Sequence, residues 1–384
     1  MKRTEQKRKQ RRARIAAIVS ASIILVIGGA YLLFVFSPIP FFRSMRNIWI
    51  ETAMTTGEHQ WLATAFIPGD IIDSVMAELN NPGTSEIGGS AYLDTRPPET
   101  TAPVTEPAAP AETTTPAETT APAAPDDILD QASLVVGQPD YAGYTVTVND
   151  IEQGLYITEV TGFDTGYYRG YAMLIDDPAR VFVGHTTHAD EGLRIPYMLE
   201  AHGAIAGINA SGFNDLGGQG TGALPMGKSC SNGTLWGEYS SFYSSIALTE
   251  TNRLVVGYID DWSKYNIRDG IQFSPVLIAD GQQKVTGSAG WGLQPRTAIG
   301  QREDGVIIFL VIDGRDVSHS IGITVGEMAG IMLKYGAVNA ACCDGGSSCV
   351  LAYNGEVLNK NTSLNPTLGR RLPNAFLVKP KVQE

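Results

Sequence analysis

Residues 337–351 read AVNAACCDGGSSCVL. The run Ala337–Cys343 is small, apolar and uncharged, as a short strand covered on both faces tends to be. Asp344 closes that strand, and Gly345, Gly346, Ser347 and Ser348 open a loop beyond it. Glycines admit backbone conformations that a Cβ forbids, so successive N–H groups can converge on one anion, with two hydroxyls beside them. A carboxylate at a strand end next to such donors suits chemistry on a sugar or a phosphate ester. The same letters also suit a plain Asp-Gly turn between strands.

Just upstream, residues 324–336 (TVGEMAGIMLKYG) predict a helix over Val325–Tyr335. Thr324 and Glu327 sit at the spacing of a capping box, a role that needs no catalysis. Residues 194–211 repeat the plan: a helix Arg194–Gly203, a strand AIAGIN, then Asn209, Ala210 and Ser211. Aligned on Gly203 and Gly336, Ser211 falls opposite Asp344. Two α–β units that deliver their loops to one end of a sheet would explain the echo, since ligands bind beyond strand carboxyl ends. A Gly-capped helix followed by a buried strand would give it with no site at all. Residues 296–315 (RTAIGQREDGVIIFLVIDGR) predict a hairpin turning at Glu303-Asp304-Gly305.

The chain of 384 residues carries a net charge of −12, which hides an asymmetry. Residues 1–14 hold eight of the 28 Lys+Arg and one of the 40 Asp+Glu, so the remainder carries −19, against a nucleic-acid partner. Residues 1–14 read as a basic cytoplasmic tail. Ile15–Phe36 follows as 22 residues without a charge, long enough to cross the ~30 Å hydrocarbon core as a helix. No small-x-small cleavage pattern follows it, so the reading is an uncleaved signal anchor in the cell membrane. The N-terminus stays cytoplasmic and the rest is extracytoplasmic.

Residues 37–94 read as a juxtamembrane, partly helical segment, with His59 as a surface histidine. Residues 95–127 hold eight Pro and nine Thr with no aromatic, a disordered, extended stalk expected to hold the next domain away from the membrane. The body is 128–384. Its strand and helix patterns predict an α+β fold, a mixed β-sheet domain flanked by helices and built of two related α–β halves. Four cysteines show no zinc spacing; Cys230, Cys342, Cys343 and Cys349 read as buried thiols or, in an oxidising compartment, as disulfide partners. Residues 222–229 (GALPMGKS) fit the P-loop pattern letter for letter, but no strand precedes them, no helix pattern follows, and Pro225 removes an N–H. We reject that match.

The ordered series GINASGFND, QPRTAIGQREDGVIIFLVIDGR, SIGITVGEMAGIMLKYGAVNAACCDGGSSCVL and GRRLPNAFLV resembles the phosphodiester glycosidase family, which has bacterial exopolysaccharide-type members. The likeness covers most of 140–380. Its strongest part is the spacing from Arg296 through Asp313-Gly314-Arg315 and Thr324-x-x-Glu327 to Asp344. Asn209–Phe213 matches the family's Asn-Ala-Ser loop, and Arg370–Ala375 its closing Arg-x-x-x-Asn-Ala. Departures are Gly212 where an aromatic is usual, Ser347 where a glycine is usual and Gly369 where an acid is common.

The resemblance implies hydrolysis of the bond between a sugar's anomeric carbon and a phosphodiester oxygen. An oxocarbenium-like transition state needs a carboxylate on one face and a water or acid on the other. Asp344 and Glu327 are the candidates, with Asp313 in reserve and Asn209 for a sugar hydroxyl or the attacking water. Arg296, Arg370 and the loop Gly345–Ser348 would hold the phosphate, with Ser211 and His319 as further substrate-binding candidates. No metal site and no cofactor is predicted, though the sequence leaves a divalent cation open. The expected partner is a glycosyl-phosphate glycan of the cell envelope or exopolysaccharide, or a small phosphodiester. The competing expectation is a non-catalytic protein that binds anionic wall or capsule polymer.

Overall fold

A computed structural model describes residues 2–56, 59–77, 87–95, 131–163, 165–215 and 220–382. Helix α1 (Lys2–Phe36) contains the apolar stretch Arg11–Phe36, 26 residues or about 39 Å of helix, with its side chains outward and almost wholly unburied. By length and composition it can cross a membrane. Helices α2 (Pro40–Met54), α3 (Trp61–Thr64) and α4 (Gly69–Met76) follow. Pro40 presets the first turn of α2, where its missing N–H costs nothing. Ile50, Ala53, Ala63, Ile67, Ile72 and Val75 close a small core around Val35, so the last turn of α1 is part of this unit.

In the body, every strand pairing among the described residues is antiparallel. The largest sheet has eight strands, in spatial order Thr145–Asp150, Leu155–Phe163, Tyr167–Ile175, Ile307–Ile312, Arg296–Arg302, Ala337–Cys342, Val276–Ala279 and Gln282–Gln283. Its central strand Ile307–Ile312 is apolar throughout because both faces are covered. Ile307, Phe309 and Val311 enter the core shared with the two smaller sheets, while Ile308, Leu310 and Ile312 enter the core beneath helix α6 (Val325–Lys334). Each such side chain contributes about 1.5–3 kcal/mol by leaving water. The hairpin turns where expected: Gly305 takes a positive φ of 98°, and its N–H donates to the Arg302 carbonyl.

The second sheet orders Thr234–Trp236, Ser229–Ser231, Ile267–Phe273, Ser244–Thr249 and Leu254–Gly257. The third orders Glu356–Val357, Leu351–Tyr353, Ala206–Asn209, Asn374–Val378 and Val181–His185. Helix α5 (Ile195–His202) packs on the third sheet through Ile195, Met198 and Leu199, and ends at Gly203 with φ 60°. The two α–β units expected from the echo both form, but in different sheets. Their strands Ala206–Asn209 and Ala337–Cys342 nevertheless meet at their carboxyl ends, where the Asp344 N–H donates to the Ala210 carbonyl at 2.8 Å. The rejected P-loop match runs into the strand Ser229–Ser231, not a helix.

Residues 96–127 of the Pro/Thr-rich stretch, and 128–130 after it, lie outside the described residues. The segments before it are fixed to the body. Gly88 bridges Val256 and Thr95 bridges Tyr265. The Gly89 N–H donates to the Asp280 carboxylate, and α2 bonds to the loop 291–294. Backbone pairing at Gly88 and Thr95 and a buried glutamine thus join these segments directly to the body. All four cysteines are buried free thiols.

Candidate active site

The strand Ala337–Cys342 delivers Asp344 into a cavity of about 980 Å³. Asn209, fully buried, clamps it there: its Nδ2 donates to the Asp344 carbonyl at 2.7 Å, and its Oδ1 accepts from the Thr297 hydroxyl and the Val350 N–H. Asn209 is thus a positioning residue, fixing the backbone that carries the carboxylate. Ser211 is buried against the Asn374 side chain, which accepts from both its N–H and its hydroxyl. Neither Asn209 nor Ser211 lines the cavity.

The glycine loop differs from the expected anion nest. The Gly345 N–H turns onto the Asp344 carboxylate, the Gly346 N–H donates to the Pro295 carbonyl, and the Ser348 N–H to the Gly345 carbonyl. Those donors are spent on the protein's own acceptors, so they do not converge on a ligand. Gly346 is required all the same: its φ is 61°, and a Cβ there would stand 3.0 Å from Arg315 Nη2. Burial is the dominant influence on Asp344 and pushes its carboxyl up to about 6, against the opposing pull of the Ser348 hydroxyl, Arg370 and the Gly345 N–H.

Besides Arg296, four arginines line the cavity: Arg194, Arg315, Arg370 and Arg371. Arg315 donates from Nε and Nη2 to Gln294 Oε1 and from Nη1 to the Ser347 hydroxyl. Arg370 pairs with Asp215 at 2.6 Å and lies 4.5 Å over the Phe213 ring. Arg194 donates to the Gly369 carbonyl, and Arg371 pairs with Glu191 at 2.6 Å. Phe273 and Trp291 supply an aromatic wall, with Tyr243 stacked behind Phe273. Thr55, Thr56 and His59 close another side.

Four sequence candidates are committed elsewhere. Glu327 accepts from the Thr324 N–H and hydroxyl and from the Thr165 N–H at 2.6 Å, which makes it a helix cap outside the cavity. Asp313 is buried beside His319 Nε2 at 2.8 Å and accepts from Asn359 and the Lys360 N–H. Burial raises its carboxyl, and neither it nor His319 lines the cavity. Arg296 borders the cavity, but its guanidinium is turned onto the carbonyls of Ile323, Trp291 and Gly292. It pins the loop 291–294, and burial lowers its pKa. Arg370, Ser347 and Ser348 line the cavity with Asp344, as do Gly345 and Gly346.

Arg194, Arg315, Asp215, Thr55 and Thr56 were not singled out from the sequence, and His59, expected as a surface histidine, lines the cavity. Asp215 and Arg315 stand inside quoted motifs, GFND and Asp313-Gly314-Arg315, so motif proximity was the available signal. Among the described residues, no group of three or more His, Cys, Asp or Glu side chains is disposed to hold a metal ion.

Residues 202–379 match the model of the phosphodiester glycosidase family. That is the family the sequence resembles, and it is one of glycosidase-type hydrolases. The strands of 145–185 complete the sheets begun inside the match. The catalytic domain of zebrafish N-acetylglucosamine-1-phosphodiester alpha-N-acetylglucosaminidase, solved auto-inhibited by its pro-peptide, shares the fold with a TM-score of 0.51. It is 17% identical, over 59% of this chain and 83% of that one. A hypothetical protein from Synechocystis aligns with a TM-score of 0.45 at 17% identity, over 62% of this chain and 64% of that one. The SPbeta prophage-derived uncharacterized protein YomE of Bacillus subtilis (strain 168) is 28% identical over 198 residues, 48% of this chain. The chain spans 29% of the length of that relative.

Proposed function

We propose that the body hydrolyses a glycosyl-1-phosphodiester, with Asp344 as the proton-transferring group. The single observation behind this is a desolvated carboxyl raised to about 6 inside a cavity lined by five arginines. Such a site attracts a phosphodiester anion to a group poised for acid–base work near neutral pH. Arg370 and Arg315 face the phosphate, and Phe273 and Trp291 offer an apolar face to the sugar.

Departure of a phosphate ester needs little protonation, since its oxygens stay ionised with a second pKa of about 6. The harder task is to activate water. In this reading a water attacks the anomeric carbon and passes its proton to the Asp344 carboxylate. The bond from C1 to the phosphate oxygen breaks, and its electron pair leaves with the phosphate, stabilised by the arginines. Free sugar and a phosphomonoester are the products. The signal anchor and an extracytoplasmic body, with a cell-envelope or exopolysaccharide glycan as substrate, remain part of the proposal. So does the division of the chain at 1–14, 15–36, 37–94, 95–127 and 128–384.

The test is release of free sugar from a panel of glycosyl-1-phosphodiesters, nucleotide sugars included, by the wild-type chain and by Asp344→Asn. Release lost in the variant supports the reaction. No release from any donor, with retention on a phosphate-rich polymer, would replace it with the binding reading.

A further inference from the structure

Residues just beyond α2 that line the cavity belong to the segment that leaves the apolar span. The Leu293 N–H donates to Thr52 Oγ1 at 2.9 Å, and Gln294 Nε2 donates to the Thr52 carbonyl at 2.8 Å. Gln294 in turn holds Arg315. Thr55, Thr56 and His59 then line the cavity itself. This same unit lies along the last turns of α1. The Tyr31 hydroxyl donates to the Phe66 carbonyl at 2.8 Å, Arg46 Nη1 donates to the Val35 carbonyl at 2.8 Å, and the Phe34 and Trp49 rings meet edge-on at 6.3 Å. Tyr31 is five residues from the end of α1, about 8 Å of helix.

The unit's outer surface suits that depth. Ile39, Phe41, Trp49, Trp61 and Phe66 are each about half exposed or more, although the inner face has a closed core. Aromatic side chains concentrated where an apolar span ends are characteristic of the membrane–water interface. A soluble surface would not gather two Trp and two Phe beside a span, and continuity with α1 names the occupant as the bilayer.

We propose that α2–α4 seat in the membrane interface and hold Thr55, Thr56 and His59, just beyond α2, as the membrane-side lining of the cavity. The substrate is then a glycosyl phosphodiester whose aglycone is a long-chain lipid held in the bilayer. The sugar and phosphate reach Asp344 and the arginines while the chain stays among lipids. This rests on the reaction proposed above for its chemistry, and on the α1–α2–cavity contacts for its substrate.

The test uses the full chain in phospholipid nanodiscs, with two arms. In the first, brominated phospholipids quench tryptophan fluorescence, and Trp61→Phe loses part of the quenched signal. Absence of quenching beyond that of the detergent-solubilised chain overturns the membrane seat. In the second, the same sugar phosphate is offered as its methyl ester in solution and as its long-chain alkyl ester in the disc. Confinement to the surface raises effective concentration, so the lipid ester should turn over about tenfold faster or more at equal total amount. Equal or faster turnover of the methyl ester overturns the lipid substrate and leaves the reaction standing. Turnover of neither overturns the reaction and this substrate class together.

Discussion

Replacing Asp344 by Asn should stabilise the protein at neutral pH while abolishing turnover. The carboxyl titrates near 3.8 when solvated and at about 6 in the fold. Below both values it is neutral in either state, and burying it costs little. As pH rises between them the unfolded chain ionises first, so stability falls, and above about 6 the whole penalty applies. At about 1.4 kcal/mol per pH unit the gap is worth about 3 kcal/mol. That is an upper bound, because one edge of the carboxylate still meets the cavity. Asparagine carries no charge but keeps one acceptor for two donors, the Gly345 N–H and the Ser348 hydroxyl, a loss of about 1 kcal/mol. The net gain at pH 7.5 is about 2 kcal/mol, or roughly 4–8 °C in Tm for a body of this size. At pH 4 the gain disappears and the lost hydrogen bond leaves the variant slightly weaker. Thermal unfolding of both proteins across pH 4–8 reads this directly. A variant less stable than wild type by the same margin at every pH would refute the reasoning. The arginines would then hold the carboxylate more firmly than desolvation opposes it.

Three further outcomes follow from the same contacts. Wild-type kcat/KM should climb with pH through about 6 as Asp344 loses its proton, and Arg370→Ala, which removes a cation that holds the carboxyl down, should move that limb to higher pH in a pH–rate profile. Glu327→Gln should lower stability in denaturant titrations by about 1 kcal/mol, because the amide has one acceptor oxygen where the carboxylate uses two, with turnover near wild type; a loss of several orders of magnitude in kcat would return Glu327 to the chemistry. Gly292→Ala should separate α2 from the body, because φ there is +61° and a Cβ would fall 2.4 Å from the Thr52 N–H; faster amide exchange over 48–56 would show it, and unchanged protection would mean the seam does not depend on this contact.

What the sequence conveyed depended on the distance over which a side chain's purpose is decided. The capping box at Thr324 and Glu327 and the turn at Gly305 are local devices, and both formed as read. Asp344 was legible because a charge that ends an apolar strand has few places to go except a strand-end cavity. Arg296, Asp313 and Glu327 have their side chains engaged by the protein itself, and one physical reason hides that in the sequence. A charged residue beside an apolar run signals a demand for partners without saying whether those partners are substrate or protein. Here carbonyls, a histidine with an asparagine, and a helix terminus met the demand.

The cavity's other components were hidden by range. Thr52 and Gln294 are 242 residues apart, and nothing in PFFRSMRNIWIETAM announces a surface complementary to WGLQ. The seam nevertheless constrains how the protein works. Gln294 accepts from Arg315 with its oxygen and donates to Thr52 with its nitrogen, so one amide ties a cavity cation to the segment that leaves the span. Moving α2 would leave the Gln294 nitrogen without Thr52 and Thr55, at a cost of about 1–3 kcal/mol, and would release the amide whose oxygen orients Arg315. The arginine's aim therefore depends on where the N-terminal helices sit. In a chain anchored through α1, the membrane would hold the charge geometry of the cavity, and a body cut free at residue 128 would lose the wall and the aim together.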